Sequence, residues 1–259
     1  MSIINFNLIK EYFTNNRKES VDVNGKIYDE LTPVKYRWTH GATDKHLGDG
    51  MLIYTAIQYM RAKTCVCLGS GGGFIPRIMS QARIDLHEQG IFEGDKIMEW
   101  GDSGTTILVD ASNGVGGYTD WVDNNSFFRT SFPCRVILDT TENAYYNFFV
   151  KEDIKIDYLH IDAGHTYEDV KNDFDLYSKI LSPHGIITIH DTDSSYEKEH
   201  IITDDILDDF HQEYSEGPSK LIAELKENKE WEIFNFFNNG ILRNRPSSTG
   251  ITFIQKCKK

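Results

Sequence analysis

The segment Ile156-Asp-Tyr-Leu-His-Ile-Asp-Ala-Gly-His-Thr-Tyr-Glu168 joins an apolar run to a turn rich in ionisable side chains. A second segment, Gly185-Ile-Ile-Thr-Ile-His-Asp191, has the same order, an apolar run followed by an imidazole and a carboxylate. Short apolar runs bounded by turn residues are typical of buried strands in a parallel sheet. Open α/β sheets bind ligands at the carboxyl ends of such strands. The two segments therefore predict an α/β fold with a functional site where they end.

Three further runs upstream are predicted as strands, and a glycine-rich turn follows the first of them. The runs are Thr64–Leu68, Thr106–Asp110 and Cys134–Asp139. In the turn, Gly69, Ser70, Gly71 and Gly73 precede a predicted helix, where main-chain N–H groups can approach a ligand closely. The dinucleotide-binding fingerprint would need glycine in place of Phe74. We expect these four residues to contact a cofactor, and the alternative is a tight turn without a ligand.

Two further carboxylates, Asp110 and Asp139, end the second and third predicted strands. An acidic residue at this place in nucleotide-binding α/β folds hydrogen-bonds a ribose diol, which makes Asp110 a candidate cofactor contact. Asp110 lies further from the glycine turn than is usual, so the stretch 88–104 is predicted to be an insertion. Asp139 is a second candidate for the same cofactor. For both residues the alternative is a structural role in a loop or turn.

Four ionisable residues stand at the ends of the fourth and fifth predicted strands. Asp162 and Asp191 offer the oxygen ligands that Mg²⁺ or Mn²⁺ prefers, and His190 is a candidate third ligand. His165 follows Asp162 closely, and a neutral imidazole there is suited to accept a hydroxyl proton near neutral pH. The sequence predicts a metal site with a base beside it. The alternative is that the carboxylates contact a cofactor or cap helices, while both imidazoles are only hydrogen-bonded.

The rest of the chain is predicted to complete one α/β domain. Residues 1–62 are expected to form an N-terminal helical extension, and residues 63–259 the domain itself. The spacing from Thr166 to Asp169 resembles a capping box that opens a helix, which Ser182–Gly185 would end. The last two apolar runs suit an antiparallel hairpin at the edge of a mostly parallel sheet with helices on both faces. The remaining elements are predicted at 44–62, 203–213, 218–228, 231–237 and 250–255.

Composition excludes several classes of function. With 27 basic and 40 acidic side chains the net charge is −13, which argues against nucleic-acid or membrane-surface binding. No run approaches the ~20 apolar residues of a membrane span. The four cysteines form neither a disulfide framework nor a zinc motif, so buried, reduced thiols are expected. We therefore expect a cytoplasmic protein with a small-molecule substrate. A homo-oligomer stays open.

Over residues 64–192 these segments resemble class I S-adenosylmethionine-dependent methyltransferases. The resemblance is carried by the glycine turn, by Leu108-Val-Asp110, and above all by the two segments that end at Glu168 and Asp191. Within that superfamily the chain looks like the metal-dependent sugar O-methyltransferases. It departs from their pattern twice. Cys67 stands where a carboxylate usually precedes the glycines, and His190 stands where those relatives have Glu.

The resemblance implies a cofactor, a metal and a base. S-adenosylmethionine would lie on the glycine turn, Asp162 and Asp191 would bind a divalent metal, and His165 would be the base. The expected reaction is methyl transfer to a hydroxyl of a sugar or nucleotide-sugar, for a surface glycan or a natural product. Residues 25–50, 113–130 and 192–220 are the expected acceptor-binding regions.

Three alternatives to this function remain from the residues alone. The nearest is a metal-independent small-molecule methyltransferase in which His165 acts alone. The spacing of Tyr167 and Lys171 also occurs in NAD(P)-dependent reductases, although it falls inside the capped helix and Phe74 breaks the glycine fingerprint. A non-catalytic binding module is the third alternative, and it would bind cofactor without turnover.

Overall fold

The computed structural model describes residues 20–21, 27–28, 40, 47–69, 74–88, 105–111, 132–193, 208–237 and 249–257. Of residues 20–21, 27–28 and 208–215 it describes the backbone alone. The chain divides into two compact units, residues 1–140 and 141–259. The predicted division into residues 1–62 and 63–259 stays a prediction, because most of residues 1–46 lie outside the described ranges.

The described residues of the first unit form five strands and two helices. The short strands β1 and β2 pair with each other, whereas β3, β4 and β5 form parallel ladders in the order β5-β4-β3. Every residue of β3 and β4 is buried, as apolar runs of a parallel sheet require. In chain order the elements are β1 (Ser20–Val21), β2 (Ile27–Tyr28), α1 (Gly50–Met60), β3 (Cys65–Leu68), α2 (Phe74–Glu88), β4 (Thr106–Asp110) and β5 (Arg135–Leu138).

In the part of the second unit that the structure describes there are four strands and three α-helices. Its strands follow the order β6-β7-β9-β8, in which β6 and β7 are parallel and the other two pairs are antiparallel. The elements are α3 (Thr141–Ala144), which continues as a π-helical turn (Tyr145–Phe149), β6 (Ile156–Ile161), α4 (Tyr167–Tyr177) with a 3₁₀ turn (Ser178–Ile180), β7 (Leu181–His190), α5 (Asp208–Lys226), β8 (Trp231–Phe236) and β9 (Ile251–Lys256).

The strand pattern confirms the predicted fold class. Strands β3 to β9 make a seven-stranded, mostly parallel sheet whose antiparallel hairpin, β8 and β9, comes last in the chain. Together with the helices between its parallel strands, this sheet agrees with the predicted Rossmann-like α/β fold. Among the described helices none has the length and apolarity needed to cross a bilayer.

Helix α4 begins as the sequence predicts. Thr166 is its N-cap residue, with extended backbone angles, and its side chain accepts a hydrogen bond from the N–H of Asp169. Such a cap stabilises a helix by about 1 kcal/mol. Gly164 leaves room for the turn, since a Cβ there would lie only 2.5 Å from the Cβ of Asp169. The cap therefore fixes the chain directly after His165.

Two predicted boundaries were wrong. Strand β7 begins at Leu181, so Ser182–Gly185, predicted to end the preceding helix, lie within the strand. The ladder with β6 is irregular there, and a Cβ on Gly185 would lie 2.9 Å from the main-chain oxygen of Ile156. Similarly, α5 is one helix and not the two predicted, although Pro218 lies inside it.

Candidate active site

Four ionisable side chains meet where β6 and β7 end. Asp162 and His165 follow β6, His190 is the last residue of β7, and Asp191 comes next. The two strands are parallel neighbours, with Ile161 opposite Ile189, so their carboxyl ends lie side by side. The structure therefore brings together all four residues that the sequence predicts for the metal and the base.

Carboxylates and imidazoles alternate within this cluster. Nε2 of His165 lies 2.8 Å from Oδ2 of Asp191 and 3.6 Å from Oδ1 of Asp162. Nδ1 of His190 lies 3.3 Å from Oδ1 of Asp162 and 3.2 Å from Oδ1 of Asp191. The side chains of the two aspartates and His190 are 10–11% exposed, and His165 is 19% exposed. Each imidazole thus contacts both carboxylates, and His165 is the member most accessible to a substrate.

The charges of the cluster shift the pKa values of its members. Burial lowers the pKa of His165, but hydrogen bonds and charge from Asp162 and Asp191 outweigh it and raise the pKa to about 9. The pKa of His190 is also raised, because the same two carboxylates outweigh its burial. Burial raises the pKa of Asp191, yet the charge of His190 and the hydrogen bond from His165 hold it well below the ordinary range. Asp191 is therefore a carboxylate that stays ionised although it is buried.

The backbone of Asp191 adopts an unusual conformation. Its φ of 56° lies in the left-handed region, which aspartate enters more readily than most residues but at a cost on the order of 1 kcal/mol. Residues held in such conformations cluster at functional sites. The turn after β7 directs the Asp191 carboxylate back toward His165 and His190, and the surrounding contacts offset the strain.

A buried polar network lies directly behind the cluster on the same strands. Nδ1 of His160 lies 2.9 Å from Oγ1 of Thr188, which is 3.1 Å from the hydroxyl of Tyr158. The ring centroids of His160 and His190 are 6.3 Å apart. Because side chains two residues apart share a face of a strand, this network continues the row that ends at Asp162 and His190. It supports the cluster from within the sheet.

Helix α5 supports the backbone of His165 from outside. A Cβ on Gly217 would lie 2.1 Å from the main-chain oxygen of His165, so only glycine allows this close approach. Further along α5, Glu224 accepts a hydrogen bond from the hydroxyl of Tyr167 and lies 3.1 Å from the ammonium of Lys171. Lys220 stacks over the Tyr167 ring at 4.2 Å. These contacts explain why α5 continues through Pro218, since tertiary packing holds a helix that its local sequence would interrupt.

The donor set fits a divalent cation. Ligand atoms of Asp162, His165 and Asp191 all lie within 4.8 Å of one another. His190, the predicted third ligand, also has its Nδ1 close to both carboxylates. Carboxylate oxygen with imidazole nitrogen suits Mn²⁺ or a similar transition metal, and carboxylate oxygen alone suits Mg²⁺. That His190 completes the ligand set, with His165 left as the base, stays a prediction.

The candidate cofactor residues that the structure describes belong to the first unit. Gly69 directly follows β3 with a φ of 81°, a conformation that favours glycine, and its N–H donates to the oxygen of Val109. Asp110 ends β4 and is 7% exposed, and Asp139 follows β5. Oδ1 of Asp139 accepts from the N–H of Thr140, as in the alternative turn role. The other three, Ser70, Gly71 and Gly73, lie outside the described residues.

Sequence reasoning missed residues that contact the cluster or form the network behind it. Thr249, next to the start of β9, donates a hydrogen bond to Oδ1 of Asp191, and Thr188 and His160 form the network described above. The alternation of polar side chains along β6 and β7 was a signal for the last two. For Thr249 the sequence holds no signal.

Comparison with known proteins agrees with this fold. Residues 66–192 match the family model Methyltransf_24, described as a methyltransferase domain. A curated relative, the uncharacterized protein y4gI of Sinorhizobium fredii, is 45% identical over 42 residues. That match covers 16% of this chain and only 5% of the relative's own length.

Solved structures resemble the chain over most of its length. An O-methyltransferase from Bacillus cereus in complex with SAH has a TM-score of 0.61 and 12% identity, covering 99% of this chain and 94% of that one. The SAH-bound methyltransferase PaMTH1 of Podospora anserina has a TM-score of 0.64 and 13% identity, covering 97% and 88%. The O-methyltransferase TomG of Streptomyces achromogenes, involved in tomaymycin synthesis and in complex with SAM, has a TM-score of 0.57 and 10% identity, covering 87% and 89%.

At such low identity these likenesses show the fold, while the family match covers the glycine turn and both segments of the cluster. Residues 66–192 are similar to a methyltransferase domain, and the fold agrees with the resemblance to class I S-adenosylmethionine-dependent methyltransferases that the sequence shows.

Proposed function

We propose that the protein is an O-methyltransferase that methylates a hydroxyl of a sugar, carried as a nucleotide-sugar, with a divalent metal held by Asp162 and Asp191. The observation that carries the proposal is the position of His165, whose Nε2 lies within 3.6 Å of both carboxylates. The O-methyltransferases among the structural neighbours, two of them in complex with SAM or SAH, support oxygen as the acceptor atom. The sugar rests on the family resemblance of the cluster's two segments.

The role of the metal follows from the donor set. Asp162 and Asp191, with His190 as the predicted third ligand, would hold the ion. A divalent cation on the two carboxylates would offset the charge that keeps His165 protonated, and would lower the pKa of an acceptor hydroxyl with a vicinal oxygen.

His165 is proposed as the general base. Its pKa of about 9 in the presence of the two bare carboxylates means that the imidazole holds its proton at neutral pH. The base function therefore needs compensation of the negative charge around it. Because His165 is the most exposed member of the cluster, an acceptor hydroxyl can reach it. The backbone contact from Gly217 and the Thr166 cap keep the imidazole in place.

The proposed reaction transfers the methyl group of S-adenosylmethionine to the oxygen of the acceptor hydroxyl. The acceptor hydroxyl gives its proton to His165, and its oxygen forms a bond to the methyl carbon of S-adenosylmethionine. The carbon–sulfur bond breaks with its electron pair on sulfur, so the sulfonium becomes a neutral thioether. Gly69, Ser70, Gly71, Gly73, Asp110 and Asp139 are proposed to bind this methyl donor. Alignment of the two reactants supplies much of the acceleration.

One observation favours a second candidate, a metal-independent methyltransferase. The 2.8 Å contact between His165 and Asp191 resembles the orienting hydrogen bond of a histidine–aspartate pair, which works without a metal. In that case Asp191 would orient the imidazole and Asp162 would stabilise its protonated form.

Methyl transfer with and without chelator separates the two candidates. Formation of S-adenosylhomocysteine is measured with a panel of nucleoside-diphosphate sugars, before and after EDTA, and again after Mg²⁺ or Mn²⁺ is returned. We expect roughly 100-fold loss with EDTA, recovered by the returned metal. Full activity in EDTA together with loss in His165→Ala would favour the metal-independent enzyme. Absence of turnover with every sugar, but turnover with another hydroxyl compound, would overturn the substrate class.

A further inference from the structure

We propose that Thr249 is a positioning residue that sets the orientation of the Asp191 carboxylate, and through it the affinity of the site for a divalent cation. This inference rests on the proposed function, because it concerns the ion that Asp162 and Asp191 would hold. Thr249 lies outside the segments that carry the family resemblance, and it reaches the cluster from the bend just before β9.

The first step is the contact itself. The hydroxyl of Thr249 donates to Oδ1 of Asp191, and the same hydroxyl lies 3.5 Å from Nε2 of His190. Oδ2 of Asp191 lies on the other side, 2.8 Å from Nε2 of His165. The two oxygens of Asp191 are thus assigned to different partners, and the hydroxyl of Thr249 determines which oxygen faces His165.

The second step is the rigidity of Thr249. Its main-chain oxygen accepts a hydrogen bond of 2.9 Å from the N–H of Asp193. The next residue, Gly250, has a φ of 90°, and a Cβ there would lie 2.8 Å from the Cβ of Asp193. In β9, Thr252 donates to the hydroxyl of Thr192 at 2.7 Å. The chain after β7 and the start of β9 are therefore joined at three successive points, so the Thr249 hydroxyl is held in one place.

The third step is what the hydroxyl prevents. The last torsion of an aspartate side chain is broad, with no sharply preferred rotamer, so a carboxylate turns easily unless both oxygens are held. Removal of the Thr249 hydroxyl leaves Oδ1 with the imidazole of His190 at 3.2 Å. Because His190 shares the same Nδ1 with Asp162, the Asp191 carboxylate is then held less firmly through Oδ1 and samples further orientations. Groups that orient metal ligands in this way typically contribute 10–100-fold to metal affinity.

Four variants of the full chain test the inference. Thr249→Val keeps the shape of the side chain and removes its hydroxyl, whereas Thr249→Ser keeps the hydroxyl. Thr105→Val is the matched control, because Thr105 lies in the other unit, where its hydroxyl donates to the main-chain oxygen of Thr106. Asp191→Asn gives the Mn²⁺ affinity of a site that has lost one of its two anionic ligands. Binding of Mn²⁺ is measured by calorimetry, and kcat and KM are measured beside it, with circular dichroism as the check of folding.

We expect Thr249→Val to bind Mn²⁺ roughly 10–100-fold more weakly, with kcat reduced and KM for the methyl donor unchanged. Thr249→Ser and Thr105→Val should bind as the wild type does. Equal Mn²⁺ affinity in the wild type and in Thr249→Val would overturn this inference and leave the metal proposal standing. Absence of Mn²⁺ binding in the wild type would overturn both.

Discussion

Asp191 and Asp173 are two buried carboxylates of the same unit, 7% and 2% exposed, whose pKa values are shifted in opposite directions. At Asp191 two imidazoles outweigh burial and hold the pKa well below the ordinary range. At Asp173, in α4, burial raises the pKa from 3.8 to about 7. A hydrogen bond from Thr141 opposes that rise, and the negative charge of Asp169 adds to it.

The difference shows that burial alone does not identify a functional carboxylate. Asp191 keeps its charge because two cationic side chains lie against it, in a backbone conformation that costs energy. Asp173 tends toward its neutral form, which suits a group that packs inside a helix interface. A strongly perturbed pKa is a sign of function when a specific charged partner and an accessible base accompany it.

The largest expected difference between the two carboxylates is in the effect of neutralising each of them on kcat for methyl transfer. Asp191→Asn should lower kcat for methyl transfer by roughly 10²–10⁴-fold, because the amide is a poor metal ligand and leaves two imidazoles without this counter-charge. Asp173→Asn, the matched change at the other buried carboxylate, should keep kcat within a factor of about three, since Asp173 lies outside the cluster. Initial rates at saturating substrate measure both. A comparable loss of kcat in the two variants would contradict the claim that Asp191 acts in the reaction and Asp173 does not.

A second, smaller effect is expected at Asp173, on how the free energy of unfolding depends on pH. Since the folded pKa of about 7 lies above the ordinary 3.8, the favourable contribution of Asp173 is fully present below pH 3.8. It is lost as the pH rises through about 7, where the buried group ionises. Asp173→Asn should remove this loss and raise the free energy of unfolding at pH 8 by roughly 2–4 kcal/mol relative to the wild type.

Urea unfolding of both proteins between pH 4 and pH 8 measures the effect. The amide in Asp173→Asn can still accept the hydrogen bond from Thr141. Asp173→Ala removes that hydrogen bond together with side-chain volume, so it controls for these two losses. Parallel stability curves for the wild type and Asp173→Asn over this range would mean that Asp173 is ionised in the folded protein throughout.

Features that depend on residues close to one another in the sequence could be predicted from it. The strand ends at Asp162 and Asp191, the Thr166 cap and the closing antiparallel hairpin follow from local patterns of apolar, turn and capping residues. Strand boundaries were less certain, as at Leu181, because the irregular ladder between β6 and β7 depends on the partner strand. The single helix α5 was missed since Gly217 packs on the His165 backbone, a contact between distant residues.

The same distinction holds within the candidate site. The two carboxylates and two imidazoles were predicted because parallel neighbouring strands must bring their ends together. Thr249 was not, because its contact with Asp191 spans 58 residues and depends on the register of β9 against β7. The opposite pKa shifts of Asp191 and Asp173 could not be read from the sequence either, since both depend on the depth of burial and on which charges lie nearby.

The central claim is that Asp162 and Asp191 hold a divalent cation beside His165. Titration of the wild type, Asp162→Asn and Asp173→Asn with Mn²⁺, followed by electron paramagnetic resonance, tests it most directly. We predict that the wild type and Asp173→Asn bind one ion with the same affinity, and that Asp162→Asn binds it at least roughly 100-fold more weakly. Equal binding by the wild type and Asp162→Asn, or no binding by the wild type, would contradict the account.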